Sequence, residues 1–81
     1  MIEVDVFEGT LVWDGRVLEL FRNDGTQGSF RLLGEHVRGT EIERRKDRLF
    51  VRFEVTDRFY EAVQVGFEHE AAITDLIARM G

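Results

Sequence analysis

The chain contains no cysteine and no proline. The first absence excludes a disulfide framework, a thiolate nucleophile and a zinc site built on sulfur, so the fold must stand on its apolar core. The second leaves every turn to Gly, Asp and Asn rather than to a pyrrolidine ring. Histidine occurs only as His36 and His69, at a spacing that matches no metal motif, and both read as surface imidazoles. The single serine, Ser29, lacks the Gly-x-Ser-x-Gly setting of a nucleophile elbow. Gly25 to Gly28 opens a strand rather than a helix and cannot cradle a phosphate as a nucleotide loop does. No apolar run approaches the roughly 18 residues that a membrane span needs. Met1 to Val6 has neither the basic region nor the apolar core of a signal peptide, so a soluble, cytoplasmic chain is expected.

What is present describes one folded unit. Eighty-one residues, 43% hydrophobic and 33% charged, fit a single domain over 1–81. The net charge of -5 repels phosphates, which argues against nucleic acid and disfavours even peripheral contact with an anionic membrane. The charge is uneven: residues 38–52 carry six bases against three acids, whereas residues 1–20 and 53–81 are each acidic. Ten of the eleven bases are Arg.

Hydrophobicity alternates with period 2 through the first four fifths of the chain. Ile2, Val4 and Val6 alternate with Glu3 and Asp5, as in a strand with one dry face. Asp14-Gly15 predicts a two-residue type I′ hairpin turn with Leu11 opposite Leu18 and Trp13 opposite Arg16, which puts Leu11, Trp13, Leu18 and Leu20 on the core side. Asn23 to Thr26 reads as a turn before a short strand over 29–33. Gly39 interrupts the next segment and predicts a bulge, with Val37 and Ile42 inward. Lys46 to Arg48 forms a loop. Leu49, Val51, Phe53 and Val55 then alternate with Phe50, Arg52 and Glu54, Thr56 to Arg58 turns the chain, and Val63, Val65 and Phe67 share the inner face of a last strand. At Glu68 the period becomes 3.6, and Ala72, Ile73, Leu76, Ile77 and Met80 form one stripe of a helix over 68–80.

The expected fold is therefore mainly β (α+β): a bent antiparallel sheet or barrel of about seven strands over 2–67, capped by a C-terminal helix. Phe7 to Thr10 leading into Trp13 to Arg16 resembles the opening hairpin of small bacterial pleckstrin-homology-like (PH-like) domains. Leu32 to Ile42 followed by Arg48 to Phe53 is similar to their middle strands, and Phe67 leading into Ala71 to Met80 is similar to their closing helix. The resemblance spans nearly the whole chain. It implies a binding module rather than a catalyst, with phosphoinositide head groups, peptides or protein surfaces as ligands. Lipid head groups in that family are usually met by bases at the first hairpin, where this chain offers only Arg16 beside Asp14.

Two features remain for function. Period 2 leaves Phe21, Phe50 and Tyr60 in polar registers, to be exposed or covered by a partner. Arg44, Arg45, Lys46 and Arg48, with Arg38 and Arg52 nearby, form the one basic cluster, although Glu41, Glu43 and Asp47 are interleaved. These residues predict a non-catalytic module for protein association, with itself or another protein. Phe50, Tyr60 and Val12 would supply apolar contact, Arg44, Arg45 and Arg52 would set orientation, and unpaired strand edges would add backbone bonds. The alternative is an anionic ligand or lipid surface held through segment 38–52 by Arg38, Arg44, Lys46 and Arg52. No catalytic residue, metal ligand or cofactor is implied.

Overall fold

Asp14 decides how the first hairpin closes. In the computed structural model, which describes residues 1–22, 30–56 and 60–80, its carboxylate accepts hydrogen bonds from the backbone N–H groups of Arg16 (2.8 Å) and Val17 (2.7 Å). Gly15 between them sits at φ +100°, a conformation that favours glycine. Strands β2 (Gly9–Trp13) and β3 (Val17–Arg22) pair with Trp13 opposite Leu18 and Leu11 opposite Leu20. The turn is thus two residues longer than a type I′ turn, because Asp14 keeps a negative φ and bonds the backbone with its side chain. A shift of two preserves parity, so the inward set is the expected one: Leu11, Trp13, Leu18 and Leu20 are all buried.

Around this hairpin, β1 (Ile2–Val6) pairs with β2, and the short β4 (Arg31–Leu33) pairs with β3. A 3-10 turn over Gly34–His36 leads into the second sheet: β5 (Val37–Arg44), β6 (Leu49–Val55) and β7 (Glu61–Val65), in that order. The described residues thus form two antiparallel sheets, of four and three strands. The bulge falls where Gly39 predicts it: Gly39 stands opposite Glu54 and Val37 opposite Val55, leaving Arg38 as the extra residue. The predicted turns at Asn23 to Thr26 and Asp57-Arg58 lie outside the described residues.

A second 3-10 turn, Phe67–His69, precedes helix α1 (Glu70–Met80). The helix starts two residues later than its period implies, because Phe67 to His69 wind more tightly around the Gly66 carbonyl, which accepts from the His69 N–H. Ile73 and Leu76 on α1 are buried against both sheets' inner residues, among them Leu18, Val51, Phe53 and Val63. The helix is too short to cross a membrane, and among the described residues no helix is long and apolar enough to do so.

Two inward assignments are corrected. Ile42 lies on the inner register, opposite Val51, yet is 41% exposed because β5 is the outermost strand and the core ends beside it. Phe67 belongs to the 3-10 turn rather than to β7 and is 37% exposed.

Among the described residues the sheets form no closed barrel. At one corner they are joined by one backbone bond and one side chain: the Phe7 N–H donates to the Gln64 carbonyl (2.8 Å), and the Gln64 N–H donates to Glu8 Oε1 (3.0 Å). A carboxylate thus takes the place that a neighbouring strand's carbonyl would hold.

Candidate association surfaces

The outer face of the second sheet gathers most of the predicted binding residues. Register puts Glu43, Phe50 and Gln64 in one row and Glu41, Arg52 and Ala62 in the next. Long side chains on neighbouring rows lie within reach of one another. Arg45 lies over the Phe50 ring at 5.0 Å and Arg52 at 6.0 Å, and Arg52 also covers Tyr60 at 4.8 Å. The edges of the same guanidinium groups meet carboxylates: Arg45 Nε donates to Glu43 (2.6 Å) and Arg52 Nη1 to Glu41 (3.3 Å). Aromatic faces take the guanidinium planes and acids take their edges, although Arg52 Nε is buried without a hydrogen-bond partner among the described residues. These contacts account for Phe50 and in part for Tyr60, whereas Phe21 on the first sheet stays 52% exposed. Phe50 is half-buried under the chain's own arginines, while Tyr60 remains 49% exposed.

The other predicted residues go elsewhere. Arg44, in the inward register opposite Leu49, grips both oxygens of Glu70 at 2.8 Å and covers the Phe67 ring at 5.1 Å, tying the end of β5 to the start of α1. Val12 lies on the outer face of the first sheet, between Glu3 and Glu19. Arg38 and Lys46 make no ion pair among the described residues. They sit near opposite ends of an eight-residue strand, roughly 20 Å apart at ~3.3 Å per residue, so the four bases of the anionic-ligand reading do not converge.

Arg48 has a role that its place in the basic run does not reveal. It holds Asp47 through Nε and Nη2, donates from Nη1 to Gln64 (2.9 Å) and lies 4.1 Å over Phe7. It therefore reinforces the corner where Glu8 meets Gln64. The pairing holds the Asp47 carboxyl below its ordinary range and pushes the Arg48 guanidinium up. Only the aromatic Phe7 beside the Glu8-Gly9 turn hints at this in the sequence.

The edge of the second sheet is a different kind of surface. β5 is the outermost strand of its sheet, and among the described residues it pairs only with β6, so its other edge carries unpaired backbone groups. Beside that edge runs a cleft of about 220 Å³ lined by Val37, Gly39, Thr40, Ile77 and Met80, with Arg38 at its rim. It is smaller than the roughly 300–1,000 Å³ pockets that hold small molecules. Exposed Ile42 continues the apolar strip along the strand. No family model matches the chain, and no curated protein or solved structure matches it.

Proposed function

We propose that the chain is a non-catalytic, PH-like interaction module that associates with protein through the open edge of β5. The observation that carries this reading is the contrast between two surfaces. On the outer face of the second sheet, Arg45, Phe50 and Arg52 are occupied by one another and by Glu41 and Glu43. Along β5, an unpaired strand edge lies beside an apolar cleft and the exposed Ile42. Backbone pairing on such an edge supplies affinity, and side chains seated in the adjoining cleft supply selectivity. The four-plus-three arrangement with a closing helix supports the PH-like assignment.

A photo-crosslinking amino acid at position 42, expressed in the cell of origin, tests the reading. Covalent protein adducts are expected there and not from the same group at position 12. Adducts absent at 42, or equally abundant at 12, reject the β5 edge as the contact.

A further inference from the structure

We infer that the occupant of the β5 edge is β5 of a second copy, antiparallel, with the two-fold axis passing through Thr40; this rests on the reading of β5 as the association edge. The register follows from the strand's own geometry. In an antiparallel pair, residues directly opposite point to the same face. Thr40 and Ile42 are inward, opposite Phe53 and Val51, whereas Gly39, Glu41 and Glu43 are outward, opposite Glu54, Arg52 and Phe50. The bulge places Arg38 and Gly39 together against one partner residue and returns Val37 to the inner face.

Carried to the free edge, a dyad at Thr40 sets Thr40 against its own copy. The bulged Gly39 and Arg38 then face the second copy's Glu41, and Val37 faces its Ile42. Each match is made twice. Arg38, without an ion-pair partner among the described residues, meets a carboxylate, and the exposed Ile42 is covered by an apolar side chain. Beyond the strand, Glu35 heads toward the second copy's Arg44, again opposite in sign. Neighbouring dyads fail on charge. One through Glu41 sets that carboxylate against itself, and one through Ile42 sets Glu41 against Glu43, both like-charge pairs of the destabilising kind. The product is a six-stranded sheet running from β7 through β5 of one copy into the other.

The absence of cysteine makes the test direct. Thr40→Cys introduces a single thiol whose Cβ would lie about 4.5–5.5 Å from its mate, within reach of a disulfide after small adjustment. The thiols of Ile42→Cys, on the same face, would be roughly 13 Å apart at ~3.3 Å per residue. At ~100 μM protein under mild oxidation, Thr40→Cys should form the covalent dimer at least tenfold faster than Ile42→Cys, with Trp13 fluorescence confirming that both variants are folded. Adding Glu41→Lys to Thr40→Cys should slow it at least tenfold by setting Lys against Arg38, and adding Arg38→Glu as well should restore it. Equal rates at positions 40 and 42, or a charge swap that fails to restore dimerisation, overturns the two-fold pairing. Position-42 adducts to a different protein, with no Thr40→Cys dimer, overturn the second copy while leaving the β5 edge as the contact.

Discussion

Replacing Glu8 by Ala tests how the two sheets are joined. Glu8 Oε1 is the acceptor for the part-buried Gln64 backbone N–H at 3.0 Å, and its second oxygen meets the Gln64 side-chain amide at the longer 3.4 Å. The Ala variant leaves the backbone donor without a partner in a half-buried corner, a loss of about 1–3 kcal/mol, and the longer contact adds little. For a chain of this length, total stability is on the order of 4–12 kcal/mol, so the loss is a large share of the whole. At ~4–8 °C per kcal/mol, the midpoint of thermal unfolding should fall by roughly 4–24 °C. Glu8→Gln keeps an oxygen in the same place and should lose less than half as much. Unfolding followed by the buried Trp13 indole gives both values, and hydrogen exchange at the Gln64 amide should quicken only in the Ala variant. The reasoning is refuted if Ala changes the midpoint by no more than a degree or two. It is equally refuted if Gln is as costly as Ala, since the charge beside Arg48 would then matter rather than the acceptor.

Three further outcomes follow from the same structure. Gly9 lies at φ +157° with the Phe21 carbonyl where a Cβ would stand, so Gly9→Ala should destabilise by more than the ~1 kcal/mol typical of substitutions and show it as a lowered urea midpoint with unchanged slope. Asp14 is held below its ordinary value of 3.8 by the backbone N–H groups of Val17 and then Arg16. Its contribution is therefore complete above pH ~4 and lost as pH falls through the lowered value, so the stability gap between wild type and Asp14→Ala should close on acidification, as read by urea midpoints at pH 7 and pH 2.5. Phe53 is fully buried and tilted against Phe30 at 6.5 Å between ring centres; Phe53→Ala should cost ~3–5 kcal/mol, read as a greatly lowered urea midpoint by circular dichroism at 25 °C.

Much of the fold was legible because burial follows side-chain alternation. Leu49, Val51, Phe53 and Val55 alternate in sequence and are all buried, and Ile73 and Leu76 occupy the core side of the helical stripe as their spacing implies. The first hairpin kept its inward set despite a different turn, since parity survives a shift of two residues. The candidate site was less legible. Arg45, Arg52, Phe50 and Tyr60 come together, whereas Arg44 pairs with Glu70 on α1 and Val12 belongs to the other sheet. Nor does sequence show that arginines would cover the aromatics, because apart from Arg52 and Phe50, both on β6, the stacking pairs join different strands or loops.

Local chemistry along the chain settled which residues alternate, where glycine and aspartate turn it, and that a closing helix must lay its apolar stripe on a sheet, since these depend on neighbours a few positions apart. Only the tertiary structure decided that the strands divide into four and three, that a glutamate side chain stands in for a strand at one corner, and that β5 keeps an open edge. Those outcomes depend on which distant segments come to lie side by side, and on geometry and charge that exist only once the chain has folded.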